Sequence, residues 1–106
     1  MKIVLTGEYI ELLAKLVARD EETEVLVSDT LKLFEKNYKD TRLGVHALTK
    51  RMSGKWAMGI MGDELSDLRI VFEWLGKDKV RLLAIGLHSV VYGRVKKKEL
   101  MVSDEV

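Results

Sequence analysis

A chain of 106 residues with 47% hydrophobic side chains has the material for one core and too little length for two, so residues 1–106 are expected to form a single domain. The absence of cysteine excludes a disulfide framework, a thiolate zinc site and a cysteine nucleophile, and it fits a reducing compartment. Net charge is only +1, but residues 1–38 hold 5 Lys+Arg against 8 Asp+Glu and residues 39–106 hold 13 against 9, so a polyanion site belongs in the second part.

Residues 2–6 carry two β-branched side chains and close on Thr6-Gly7, which predicts an opening strand followed by a helix start. The apolar run there is too short for a secretory leader, and no later run is long enough to span a bilayer. A soluble, cytoplasmic protein is expected. Over residues 8–19, Tyr9, Leu12, Leu13, Leu16 and Val17 recur at helical spacing. Asp20 is an N-cap candidate for a second helix, with Glu21, Glu22 and Glu24 at its positive end. Leu26, Val27, Thr30, Leu31, Leu33, Phe34 and Tyr38 form its apolar stripe. With so few residues between them, the two helices must fold back as a hairpin.

Residues 37–54 read as an irregular basic connector. The period then becomes two, predicting strands at 55–61, 68–74 and 80–87 with turn residues at 62–64 and 76–78. In the middle strand Leu68, Ile70, Phe72 and Trp74 form a core face, while Arg69, Val71 and Glu73 form a polar one. The last strand is apolar at both parities, as a central strand should be. The expected fold is therefore α+β, in the order β-α-α-β-β-β, with a helix hairpin on a small, mainly antiparallel sheet.

Four clusters of the second half carry a resemblance. His46-Ala47-Leu48, Gly54-Lys55-Trp56, Asp67-Leu68-Arg69 followed by Ile70-Val71-Phe72, and Ile85-Gly86-Leu87-His88 closing on Tyr92 stand in the order found in the RelE/ParE toxin superfamily. Over residues 42–93 the chain resembles most the RelE/YafQ-type messenger RNA interferases of type II toxin–antitoxin systems. Two departures stand out. Leu87 replaces the usual threonine, and the span from Trp56 to Asp67 is longer than typical. The strand after Trp56 reads Ala57, Met58, Gly59, Ile60, without the lysines of the RelE branch, so histidine chemistry of the YafQ kind is the implied one.

The resemblance implies a metal-free, cofactor-free endoribonuclease. Such a reaction needs a base for the ribose 2′-hydroxyl, a cation for the phosphate and an acid for the leaving oxygen. Histidine suits either proton role because its pKa of about 6.5 lies near cellular pH. His88 is the candidate acid or base, with His46 as a second; a lone histidine of either kind is otherwise an ordinary surface residue. Arg69 suits the phosphate, or else a cross-strand ion pair with Glu73 or a neighbouring strand. Asp67 orients His88, acts as base, or simply closes a turn. Tyr92 stacks on a base, donates a proton, or is a rim aromatic. Arg42, Lys50, Arg51 and Lys55, with Lys39, are candidates for tracking an RNA backbone, with Lys96, Lys97 and Lys98 as a second grip; solvated surface charge is the other reading. Trp56 and Trp74 fit core packing better than base stacking. Two separated histidines make a zinc site improbable. The implied partners are a cognate antitoxin in a hetero-oligomer, messenger RNA and the ribosome, with no membrane. A ParE-like gyrase inhibitor, or an inactive antitoxin-binding relative, is the competing reading.

Overall fold

The computed structural model describes residues 1–60 and 68–87. Strand β1 (Lys2–Leu5) leads into helices α1 (Gly7–Arg19) and α2 (Glu22–Lys36), and the chain then enters strands β2 (His46–Ala47), β3 (Trp56–Gly59), β4 (Leu68–Gly76) and β5 (Lys79–Leu87). The sheet order is β1-β5-β4-β3-β2. β1 runs parallel to β5 and every other pair is antiparallel, which gives an α+β fold with two helices on a mixed sheet. No helix among the described residues is long and apolar enough to cross a membrane.

The expected helices and strands form, with small shifts at their ends. The connector is more ordered than its mixed composition suggests. It contains two single 3-10 turns, Thr41–Leu43 and Lys50–Met52, and the edge strand β2, whose two residues are too few for a period to be read. Asp20 does not stand at the N-cap position itself, which is Glu21; instead its Oδ1 accepts from the Glu22 N–H at 3.0 Å. It still satisfies one of the otherwise unpaired amides of the first turn.

The helix-facing side of the sheet carries the main core. Phe34, Ile70, Phe72, Val80 and Leu82 are fully buried there together with Tyr9, Val27 and Met58. Phe34 of α2 stacks edge-on to Phe72 at 5.2 Å between centroids, and Tyr38, just past that helix, edge-on to Trp74 at 5.1 Å, so these aromatic side chains interlock with those of β4 in the geometry their quadrupoles favour. Both tryptophans belong to this cluster, as their place in the alternation suggested.

A β-bulge explains why β5 is apolar at both parities. Val71 pairs with Ala84 and Phe72 with Leu82, so Leu83 has no partner across the ladder and the alternation changes phase there. Leu82 and Ile85 consequently share the helix side. Leu83 and Ala84 fall on the other side, where they pack with Val71 and Met52. The expectation of a polar second face on β4 is therefore corrected at Val71, which is fully buried. Met52, on the turn Lys50–Met52, and the half-buried Leu48 cover it, and neither contact could be read from the period of the strand itself.

Thr6 ties α1 to this bulge. Its Oγ1 donates to the Leu82 carbonyl at 2.8 Å and accepts from the Tyr9 N–H at 3.2 Å. One hydroxyl thus caps the helix and satisfies a carbonyl at the irregular point of the ladder. Thr6→Ala is expected to lower unfolding free energy by about 1–2 kcal/mol, the usual range for a lost N-cap, read as a shifted urea midpoint with unchanged slope. The Tyr9 hydroxyl behaves oppositely. It is buried, finds no hydrogen-bond partner among the described residues, and its pKa is pushed up to about 12 by burial. Tyr9→Phe removes an unsatisfied polar atom while keeping the ring, and is expected to raise stability by about 1 kcal/mol in the same titration.

Candidate functional site

The sheet face opposite the helices brings His46, Lys55 and Arg69 onto one surface. Residues directly paired across strands project to the same side, so the register gives rows. His46, Ala57, Val71 and Ala84 make one row. Gly59, Arg69 and Gly86 make the next, toward the end of β4 that follows residue 67. On the other side of the first row, Glu73 pairs with Arg81, and the Leu48 N–H donates to the Lys55 carbonyl at 2.9 Å, extending the β2–β3 ladder by one residue. By the same alternation Lys79 and its β1 partner Lys2 fall on this face too. Cations outnumber carboxylates among the described strand residues there, although the net charge of the whole chain is only +1. Clustering, not total charge, sets the local potential.

Arg69 is half-buried, and its Nη1 donates to the Leu68 carbonyl at 2.8 Å, which folds the guanidinium back along the strand instead of letting it swing freely. Glycine is its partner on both neighbouring strands, Gly59 on β3 and Gly86 on β5. A Cβ at Gly59 would lie 3.9 Å from Nη1, and at 3.6 Å from the Leu43 carbonyl oxygen. Glu73, the other ion-pair partner considered for Arg69, is taken by Arg81, whose Nε donates to Oε2 at 2.7 Å and whose Nη2 makes a second contact to the same oxygen.

His46 is exposed on β2 with its Nδ1 2.8 Å from the Gly44 carbonyl. A carbonyl can only accept, so Nδ1 carries a proton and Nε2 of the neutral ring is the nitrogen left for base chemistry. His46 and Arg69 share the face without touching: two strand spacings and one row separate them, about 12 Å. Lys50 and Arg51 are exposed on the turn that Met52 pins against Val71, and Lys50 holds a left-handed φ of 56° there. That turn carries its two cations to the border of the same face.

Arg42 stands apart. Its Nε and Nη2 donate to the two oxygens of Asp40 at 3.0 and 2.9 Å, so its charge is matched locally. The Arg42 guanidinium and backbone N–H hold the Asp40 carboxyl down from 3.8 to about 2. Because the folded pKa is the lower one, the pair's stabilisation is complete above pH 4 and disappears as pH falls toward 2. Asp40→Asn is expected to flatten the acid limb of a stability-against-pH curve in that window alone.

A cleft of about 520 Å³ opens between Tyr38, Lys39, Gly44, Val45 and Trp56. Size makes it a default candidate site. Its charged residues are already engaged: Asp40 by Arg42, and Lys39 with its ammonium 5.7 Å from the Tyr38 ring centroid. It supplies no proton-transfer pair, and Trp56 lines it from the helix side of the sheet. Asp67, His88 and Tyr92, with Lys96, Lys97 and Lys98, lie outside the described residues. Among the described residues no three of His, Cys, Asp or Glu group as metal ligands. Missed from sequence were Gly59 as a partner of Arg69 and the cover formed by Met52; both depend on pairing across strands, for which a linear pattern carries no signal.

Sequence comparison finds no matching family model and no significant match among curated proteins. Solved structures do match. A copper-bound point mutant of a toxin from Helicobacter pylori aligns with a TM-score of 0.65 at 24% identity, over 86% of this chain and 98% of that one. A YoeB/ParE toxin from Agrobacterium tumefaciens aligns at 0.66 and 16%, over 83% and 99%. YafQ from E. coli aligns at 0.67 and 15% over 87% and 98%, and in its complex with DinJ at 0.65 and 16% over the same shares. With two helices on one side of a five-stranded mixed sheet, and near-complete coverage of each of these toxins, the chain has the RelE-like toxin fold.

Proposed function

We propose that this chain is the toxin of a type II toxin–antitoxin pair, an endoribonuclease that cleaves messenger RNA on the ribosome without a metal, by attack of a ribose 2′-hydroxyl on the adjacent phosphate. The observation that carries this reading is Arg69, held between two glycines on the sheet face opposite the helices, with His46, Lys55 and the turn of Lys50 and Arg51 on the same side. A guanidinium stays protonated and offers a planar fork to two phosphate oxygens, which suits the charge that builds on a five-coordinate phosphorus.

In this reading Arg69 stabilises the phosphorane. His88 and Asp67 supply the proton transfers, Tyr92 positions a base or protonates the leaving 5′-oxygen, and His46 through Nε2 serves as a second proton carrier. Lys50, Arg51 and Lys55 track the backbone on either side, with Arg42 in a lesser part because Asp40 already matches its charge. The complex of YafQ with DinJ among the structural neighbours supports a cognate antitoxin as the partner that silences the chain.

Induced expression tests this. Wild-type protein is expected to arrest growth and to leave cut messenger RNA, and both effects should vanish for His88→Ala and be rescued by co-expression of a cognate antitoxin. Growth arrest that persists in His88→Ala, with intact messenger RNA, would replace the nuclease with a ParE-like gyrase inhibitor.

A further inference from the structure

We propose that the outer edge of β2 takes an added strand, an extended acidic segment of a partner protein that seats an apolar side chain in the cleft between Tyr38 and Trp56. The site rests on the edge and the cleft; only the source of the segment, the antitoxin, rests on the toxin reading. β2 ends the sheet, so β3 alone pairs with it. Because the Leu48 N–H donates to the Lys55 carbonyl at 2.9 Å, the opposed pairs that exchange backbone bonds are Leu48 with Lys55 and His46 with Ala57. Ala47, between them, therefore turns its N–H and carbonyl away from β3, and Val45 does so by the same alternation. Neither residue makes a backbone hydrogen bond elsewhere among the described residues. A free donor and acceptor recurring at every second residue is the template that an extended peptide pairs with.

β2 is short, so backbone bonds alone hold a peptide weakly and side chains must add to them. Ala47 is opposed by Trp56, which belongs to the helix-side cluster, so Ala47 and Val45 project to that side. The residues of an added strand that stand opposite them project there as well, toward the cleft of about 520 Å³ that Val45 and Trp56 line. Tyr38, Val45 and Trp56, all half-buried, give that cleft walls for a large apolar side chain. Charge defines the rest of the partner. Residues 36–55 carry Lys36, Lys39, Arg42, Lys50, Arg51 and Lys55 against Asp40 alone, and Arg42 already holds that carboxylate. A segment with Asp or Glu flanking its apolar anchor complements this excess, and a basic one is repelled. Bound at the edge, it also lowers the positive potential on which RNA binding draws.

Random dodecapeptides displayed on phage and panned on the full chain are the probe. Selection is expected to enrich peptides that alternate aromatic or branched residues with acidic ones, and added salt should weaken their binding. In Ala47→Pro their affinity should fall about 10-fold or more, the worth of one or two hydrogen bonds. The urea midpoint should stay unchanged, since the N–H that proline removes makes no bond to β3 and an edge strand tolerates the ring. Should that variant fail to fold, N-methylated copies of the best peptide decide on wild-type protein alone. Methyl groups at one set of alternate residues must abolish most of the affinity, and at the other set must leave it. That parity belongs to a paired strand, whereas a peptide held only by side chains in the cleft shows none. No enriched peptide, enrichment without acidic residues, or affinity indifferent to Ala47→Pro and to methyl parity overturns the inference. Protection of the Val45 and Ala47 amides by a single-stranded RNA, and by no peptide, gives the edge to nucleic acid and overturns it too. Peptide binding with this parity by a chain that neither arrests growth nor cuts RNA upholds the site and removes only the antitoxin as its source.

Discussion

Arg69→Gln is expected to lower the rate of RNA cleavage by about 100- to 1,000-fold, the usual cost of removing one group that meets charge developing in a transition state. Glutamine is shorter and uncharged, but it keeps a planar amide that can donate a hydrogen bond, as Nη1 does to the Leu68 carbonyl in the native chain. Folding should therefore be little affected, with a circular dichroism spectrum and thermal midpoint close to native. Arg69→Lys keeps the charge but not the planar fork, so it should recover only part of the rate. Single-turnover cleavage of an RNA oligonucleotide reads both variants. Native rates in Arg69→Gln would remove the arginine from the chemistry.

The largest effect on stability is expected at Phe72. It is fully buried, in edge contact with Phe34 and Trp74 and tilted against Trp56, and it pairs with Leu82 beside the bulge that Thr6 closes. Phe72→Ala removes a whole ring from the centre of this cluster, and the β4 backbone is paired on both sides and cannot collapse into the space. A loss of about 3–5 kcal/mol follows from burial and the residual cavity together. Stability of domains this size is about 5–15 kcal/mol, so the variant should sit near its unfolding threshold at 37 °C. Phe72→Leu refills part of the volume and should lose distinctly less. Urea unfolding of the two variants gives the comparison.

These two residues also mark what could be read in the sequence and what could not. The alternation Leu68, Ile70, Phe72, Trp74 sets the core face of β4 directly, and the stripe Val27, Thr30, Phe34 on α2 sets the face that meets it. Periodicity reports such faces because burial repeats with the geometry of the backbone. The same rule misplaced Val71, because the cover over it comes from Met52, about twenty residues back in a segment with no period. It also missed β2, whose pairing is decided by β3. The bulge at Leu83 had a trace in the sequence, the apolar run across both parities, but a doubly covered strand leaves the same trace. Of the candidate site, Arg69 was legible from its motif, whereas its glycine neighbours are brought to it by strand pairing alone.

Proton–nitrogen correlation spectra of the ¹⁵N-labelled protein, titrated with a single-stranded RNA oligonucleotide, test the sheet face opposite the helices as the RNA surface most directly. The account predicts shifts concentrated at His46, Lys55, Ala57, Gly59, Arg69 and Gly86, including the Arg69 side-chain Nε–H, with α1 and α2 undisturbed. Shifts confined to the helices, or to the cleft between Tyr38 and Trp56, would contradict it.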